Sequence, residues 1–147
     1  MYQRILVTTD GSQLSERAVE HAIALADLTG AELVALRVVP RYPQTYFEGG
    51  VALGTPEVRQ IEKQWEEEAR QTVVAVKTLA QARQVKVKPI TVKSDLIAEA
   101  IIAAAKRHKC DLIVMASHGR RGIKRLLLGS ETQQVLTHSH IPVLVLR

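Results

Sequence analysis

The residues with the clearest chemical potential lie between Met115 and Ser130, in the segment MASHGRRGIKRLLLGS. This segment follows the apolar run from Asp111 to Met115 and precedes a helix-like stretch that begins at Glu131. Small residues and glycines after a strand, with a Gly-Ser pair at a helix start, leave backbone N–H groups unpaired. Such groups bind anions such as phosphate, because the positive end of the helix dipole lies behind them. The pattern predicts nucleotide binding and assigns no catalytic residue.

Three strand ends are candidates for the walls of this site: Thr8 to Asp10, Val38 to Pro40 and Met115 to Gly119. In an open parallel sheet, ligands bind beyond the carboxyl ends of the strands, where the strand order reverses. The carboxylate of Asp10 can accept hydrogen bonds from sugar hydroxyls, and Gly119 and Gly129 let the backbone approach a ligand closely. The expected ligand is a nucleotide whose ribose hydroxyls donate to the Asp10 carboxylate and whose phosphate oxygens accept from backbone N–H groups.

Each of these residues also has a simpler interpretation. Asp10 can cap the first helix, Ser130 can cap the last one, and Gly119 with Gly122 can merely shape a loop. His118 has no obvious nucleophile as a partner, so a surface or structural role is its alternative. The basic residues of the loop form either a solvated face or a set of charges that attracts phosphate. They are Arg120, Arg121, Lys124 and Arg125.

Several stronger motifs are absent from the sequence. It contains no G-x-x-x-x-G-K-[ST] P-loop and no G-x-G-x-x-G after the first strand. It contains no G-x-S-x-G nucleophile elbow. The five histidines and the one cysteine do not combine into a familiar zinc spacing. We therefore expect neither a metal site nor an enzyme.

The composition is that of one globular domain spanning residues 1–147, with 46% apolar and 24% charged residues. Aromatic residues make up only 3%, so the core must be aliphatic and base stacking with nucleic acid is not expected. The net charge of +5 is compatible with an anionic ligand. Cys110 permits no intramolecular disulfide and is interpreted as a packed small hydrophobe. With no signal peptide and no apolar run near the roughly 20 residues of a membrane span, we expect a cytoplasmic protein.

Strand-length apolar runs alternate with helical patterns, which predicts βαβ units around a parallel sheet. Ser12 is expected to cap the first helix and Gly30 to end it. Pro89 and the neighbouring lysines predict an edge strand over residues 85–93, and Ser94 is expected to open the third helix. The long helix at 57–83 is expected to bury one apolar face. That face consists of Val58, Ile61, Trp65, Ala69, Val73, Val76 and Leu79.

These residues resemble the universal stress protein family over essentially the whole chain. The resemblance rests on ILVTTDGS at 5–12, ALRVV at 35–39, DLIVM at 111–115 and IPVLVL at 141–146. Family members that bind ATP carry the signature G-x2-G-x9-G-[ST]. Gly119, Gly129 and Ser130 match its second part, whereas Ala116 stands at the first glycine. Alanine is tolerated there if the position needs close packing and a negative φ.

The resemblance implies roles for individual residues. Asp10 resembles the acid that holds the ribose, with Thr8 and Thr9 lining the base pocket. Val38 resembles the residue whose backbone meets the adenine edge. The loop around ribose and phosphates corresponds to Met115, Ala116, His118 and Gly119.

The phosphate-binding helix start corresponds to Gly129 and Ser130, with Glu131 beside them. The carboxylate of Glu131 would weaken triphosphate binding unless a divalent cation or an arginine intervenes. ATP, accompanied by Mg²⁺ where a cation is needed, is therefore the expected ligand.

The resemblance also implies a fold, an assembly and a function. The fold is a Rossmann-like α/β domain, an open five-stranded parallel sheet of order 3-2-1-4-5 with helices on both faces. The assembly is a homodimer joined through the apolar edge strand Val143 to Leu146, since an unprotected edge invites pairing. The function is that of an ATP-binding stress-response module for sensing or regulation. The alternatives are a member without nucleotide binding that acts through protein interactions, and a slow ATPase.

Overall fold

The computed structural model describes residues 1–43, 55–119 and 127–147 of the chain. Strands and helices alternate along it, as the sequence predicts. They are β1 Arg4–Thr8, α1 Gln13–Thr29, β2 Glu32–Val39, α2 Thr55–Gln81, β3 Val87–Lys93, α3 Ile97–Arg107, β4 Leu112–Ala116, α4 Ser130–His138 and β5 Val143–Leu146. The expectations for Arg120, Arg121, Gly122, Lys124 and Arg125 concern residues outside the described ranges.

All five strands pair in parallel, in the order β3-β2-β1-β4-β5. The predicted order is confirmed, and β3 lies at an edge, with Pro89 opposite Ala35. The central strand β1 pairs with β2 on one side and with β4 on the other, so that Val7 meets both Ala35 and Val114. The strand order therefore reverses between β1 and β4, which is where a ligand is expected in such a sheet.

The core lies in two aliphatic layers, one on each face of the sheet. Helices α1 and α2 cover the face that carries Ile5 and Val7. Helices α3 and α4 cover the face that carries Leu6 and Ile113. Strand residues alternate between the two layers because successive side chains point to opposite faces. None of the helices in the described ranges is long and apolar enough to cross a membrane.

The predicted inner face of α2 is wrong at Leu79, whose exposure is 58%. The residues that this helix buries are Ala69, Val73, Val76 and Ala80. They recur at the three- and four-residue spacing of one helix face, and Ala80 continues it. Its neighbour Leu79 lies roughly 100° around the helix from that position, and therefore faces away from the sheet.

The predicted start of the third helix at Ser94 is also wrong, because α3 begins at Ile97. The Ser94 hydroxyl accepts a hydrogen bond from the Leu96 amide at 3.0 Å. The Asp95 carboxylate accepts one from the Arg41 amide at 3.0 Å. The local bond of Ser94 offers the backbone an alternative to the helix, and the bond of Asp95 to the distant Arg41 holds the chain outside it, so the helix starts later.

The caps of α1 follow the prediction. Ser12 is the N-cap and accepts a hydrogen bond from the Ser15 amide, and Gly30 ends the helix in the left-handed region at φ 74°. The interpretation of Cys110 is also supported, since the residue is 6% exposed and burial raises the pKa of its thiol to about 11. A thiol with that pKa stays protonated at neutral pH and is a poor nucleophile.

Candidate functional site

The site begins where the loop after β4 meets the loop after β1. The Asp10 carboxylate accepts a hydrogen bond from the Ser12 amide through Oδ1 at 2.9 Å. A Cβ atom placed on Gly119 would lie 2.5 Å from Asp10 Oδ2. Real Cβ atoms do not approach an oxygen that closely, so only glycine fits position 119 with Asp10 in this orientation. The structure thus brings together the predicted acid and one of the two predicted glycines.

The start of α4 packs directly on the end of β4. The Gly129 amide donates to the Ser117 carbonyl at 2.8 Å. The buried Thr132 hydroxyl donates to the Ala116 carbonyl at 2.9 Å. A Cβ atom on Gly129 would lie 3.3 Å from the Ser117 oxygen and 3.4 Å from His118 Cα, tighter than ordinary packing. These contacts hold the helix start at the carboxyl edge of the sheet, next to the Asp10–Gly119 contact.

The Gly129 amide corrects one expectation. The sequence predicts that the turn and the helix start leave their amides unpaired, and this one is already bonded to Ser117. Within the described ranges, no protein acceptor is bonded to the amides of Ser130 and Glu131, the first two residues of α4. These two N–H groups lie at the positive end of the helix dipole and are the ones that an anion can use.

The side chains of Ser130 and Glu131 bond to each other. The Ser130 hydroxyl donates to Glu131 Oε2 at 3.0 Å, and both residues are exposed. A carboxylate in the first turn of a helix interacts favourably with the dipole. It also places negative charge beside the amides of α4, where it opposes a second anion.

Ala116 meets the condition under which alanine can replace the first glycine of the signature. It is the last residue of β4, pairs with Leu146 and is 8% exposed. The described non-glycine residues with positive φ are Gln84 and Lys109, so Ala116 does not adopt the glycine-favoured conformation. The substitution is therefore compatible with the backbone that forms the site.

Replacing Ala116 with glycine is expected to leave nucleotide affinity unchanged and to lower the free energy of unfolding by about 0.5–1 kcal/mol. Fixing a glycine in a strand costs more conformational entropy than fixing an alanine, and residue 116 has no positive φ that glycine would relieve. Calorimetric titration and thermal denaturation of the two proteins check both parts. A gain of nucleotide binding in Ala116→Gly would instead identify the alanine as the cause of lost binding.

Two of the predicted site residues do not present their side chains to a ligand. Thr9 is 5% exposed, and its hydroxyl lies 3.0 Å from the Ser15 hydroxyl and accepts from the Gly11 amide at 3.2 Å. Met115 is 4% exposed and packs in the core beneath α3. Both side chains are turned into the protein, so a contact of Thr9 or Met115 with a nucleotide, which stays a prediction, would have to come from the backbone.

The other predicted residues lie at the same edge of the sheet. Thr8 is the last residue of β1 and is half-buried. The next residue, Thr9, donates its amide to the Leu36 carbonyl at 3.0 Å, which joins the end of β1 to β2. Val38 is half-buried near the end of β2, opposite Val92. His118 is half-buried, with Nδ1 3.3 Å from the Gly119 carbonyl. Their contact with a nucleotide stays a prediction.

Three buried hydroxyl residues that support the site were missed by sequence reasoning: Ser15, Ser117 and Thr132. Ser15 and Thr132 lie in the first turns of α1 and α4 and bond back to the neighbouring loop or strand. A signal for them exists, because a short hydroxyl residue two or three positions after a helix start often bonds locally. Ser117 acts through its backbone, which no side-chain pattern reveals.

The comparison with known proteins decides the family. The model of the universal stress protein family matches residues 1–147. The chain belongs to the universal stress protein family. A relative from Methanocaldococcus jannaschii, universal stress protein MJ0531, is 36% identical over the whole of this chain and 83% of its own length.

Solved universal stress proteins share the fold. The structure of UspA from Lactobacillus plantarum matches with a TM-score of 0.83 at 25% identity, over 99% of this chain and 98% of that one. A universal stress protein solved in complex with cAMP matches with a TM-score of 0.72 at 26% identity, over 99% of this chain and 97% of that one. The recognition of the family from sequence is confirmed.

Proposed function

We propose that this universal stress protein binds an adenine nucleotide, with ATP as the expected ligand, at the carboxyl edge of its sheet. The protein acts as a cytoplasmic stress-response module for sensing or regulation, and no residue is assigned a catalytic step. The observation that carries the proposal is the contact between Asp10 and Gly119, where a carboxylate occupies the space that a Cβ atom would fill. An acid held in this way, at the point where the strand order reverses, suits a ribose.

The neighbouring groups suit the rest of a nucleotide. The amides of Ser130 and Glu131 lie at the positive end of a helix and fit phosphate oxygens. The ends of β1 and β2 offer half-buried surface at Thr8 and Val38 for the base. A related protein was solved with cAMP, an adenine nucleotide, which supports the same ligand class here.

Magnesium in this proposal comes with the nucleotide. In the parts of the chain that the structure describes, no three metal-ligating side chains are grouped closely enough to hold an ion. The exposed Glu131 carboxylate lies at the start of α4, where it can approach a cation that the phosphates already bind. We therefore expect Mg²⁺ to strengthen ATP binding by offsetting the charge of Glu131.

Equilibrium titration of ATP with Mg²⁺ into the purified protein is expected to give a saturable heat with one site per chain, and ATP is expected to raise the melting temperature. Binding to the folded state alone stabilises it by mass action. Omitting Mg²⁺ should weaken the interaction, and CTP should bind less well than ATP. No heat and no thermal shift at millimolar ATP would contradict the proposal.

A second function has its own support in the site. The Gly129 amide is bonded to Ser117, and the Ser130 hydroxyl is bonded to Glu131. Both bonds reduce the number of donors at the start of α4 that can bind phosphate oxygens. They favour a family member that acts through protein contacts without a nucleotide. The titration separates the two functions, and phosphate release measured in the same samples detects a slow ATPase.

We also propose that two copies pair through β5. This strand bonds to β4 on one side and ends the sheet on the other, and Leu144 is 40% exposed. An apolar edge strand is a template for pairing with a second chain.

Replacing Leu144 with lysine is therefore expected to convert a dimer into a monomer, because it places a charge in the joined edge. Light scattering after size-exclusion chromatography measures the mass of each species. The matched control is Leu79→Lys on α2, where the leucine is 58% exposed and the helix packs against β2 and β3, at the side of the sheet away from β5. A wild-type monomer, or equal dissociation of both variants, would contradict the dimer.

A further inference from the structure

The described residues form a second concave feature at the edge of the sheet opposite the nucleotide site. It is a cavity of about 240 Å³ whose polar walls we call the basic cleft, formed by Arg4, Glu32, Lys86, Lys88 and His108. Arg4 begins β1, Glu32 begins β2 and Lys86 precedes β3, so the cleft lies at the amino ends of the strands. It shares no residue with the proposed nucleotide site.

Arg4 holds the middle of the basic cleft in place. Its guanidinium donates to the His108 carbonyl at 2.8 Å and to Glu32 Oε2 at 3.3 Å. The first bond covers a carbonyl at the end of α3, where the negative pole of the helix would repel an anion. The second neutralises Glu32, which is the one acid among the lining residues. Arg4 thus offsets two local sources of negative potential, while the Asp111 carboxylate, which accepts from the Arg4 amide at 3.2 Å, lies on the other side of its backbone.

The two lysines add positive charge that the described part of the protein does not pair. Neither Lys86 nor Lys88 forms an ion pair with any described residue. Positions 86 and 88 share one face of the strand, the face on which Ile90 and Val92 pack with the core beneath α3. Lys88 therefore points to the side of the sheet where α3 ends at His108.

His108 reports the positive potential of the cleft. Burial lowers the pKa of this histidine, and the charges of Lys88, Arg107 and Arg4 lower it further. The cations that add to the effect of burial on His108 would also attract an anion to this cleft.

We propose that the basic cleft binds a compact anion with at least two negative charges, of the inorganic pyrophosphate class, through Lys86, Lys88 and His108. The cavity is smaller than the roughly 300–1,000 Å³ of a typical cofactor site, which favours a ligand smaller than a whole nucleotide. Charge-assisted hydrogen bonds from the lysines supply the attraction, and the bonded Arg4 fixes one wall. The other role for these lysines is to discourage pairing at the edge strand β3.

The test follows the ring signal of His108 by NMR during pH titration, with and without inorganic pyrophosphate. The bound anion offsets the neighbouring cations, so the pKa of His108 is expected to rise on saturation. The variant His108→Gln identifies the signal. His118 lies at the opposite edge of the sheet, and its signal reports separately on any pyrophosphate that binds at the proposed nucleotide site.

Two matched variants make the test specific. Lys88→Gln is expected to weaken pyrophosphate binding about tenfold, the effect of losing one charge-assisted hydrogen bond. Lys77→Gln removes the same charge from an exposed position on α2 and should bind as the wild type does. Gly119→Val disturbs only the other edge and should keep the His108 response. An unchanged pKa of His108, or equal loss in the two lysine variants, would overturn the proposal.

Discussion

Gly119→Ala is expected to weaken ATP binding at least tenfold while lowering the free energy of unfolding by only about 1 kcal/mol. The added Cβ atom would lie 2.5 Å from Asp10 Oδ2. That oxygen is the end of a side chain, so the carboxylate can rotate away without moving the backbone. The rotation breaks the bond between Asp10 Oδ1 and the Ser12 amide and turns the carboxylate away from the ribose. Calorimetric titration and thermal denaturation measure the two effects separately.

The control for this prediction is Gly30→Ala, which should show the opposite pattern. Gly30 has φ 74°, and no atom lies within 4 Å of the Cβ that alanine would add. The left-handed conformation costs a non-glycine residue about 1–2 kcal/mol, so stability falls. Nucleotide binding is expected to be unaffected, because Gly30 ends α1 at the opposite edge of the sheet. If the wild type binds ATP and Gly119→Ala binds it equally well, Asp10 does not hold the ribose.

Leu6→Ala is expected to lower the free energy of unfolding by about 2–5 kcal/mol, a large share of the roughly 5–15 kcal/mol of a typical domain. Leu6 lies in the central strand, is 0% exposed and pairs with both Val34 and Ile113. Alanine loses the free energy gained when the removed methyl and methylene groups are transferred from water into the core. It also leaves a cavity that the close-packed neighbours fill only in part. Denaturant unfolding followed by circular dichroism measures the difference.

The matched control is Leu28→Ala, the same substitution at a position that is 84% exposed in the last turn of α1. It removes almost no buried area, and alanine is a better helix former, so the change should stay within about 0.5 kcal/mol. Comparable losses in Leu6→Ala and Leu28→Ala would contradict the two-layer core. A partial transition in Leu6→Ala would show that the sheet does not unfold as one unit.

The order of the elements could be predicted from the sequence because it depends on local physics. Aliphatic runs such as Leu112–Ala116 and helical spacing such as that of Ala18, Val19 and Ala22 reflect burial along one segment. The caps Ser12 and Gly30 follow from groups within a few residues of each other. The order of the strands and the family came from the resemblance of whole segments, which periodicity does not provide.

The site required the tertiary structure, because its contacts join segments that are far apart in the chain. The sequence names Asp10 and Gly119 as candidates, yet only the fold places the carboxylate where a Cβ of residue 119 would be. The Gly129 amide donates to the Ser117 carbonyl, although the sequence predicts that this amide is unpaired. The basic cleft likewise joins Arg4 of β1, Lys88 of β3 and His108, which caps the end of α3. A residue pattern shows which face of a segment is buried, whereas hydrogen-bond partners and close approaches depend on how distant segments pack.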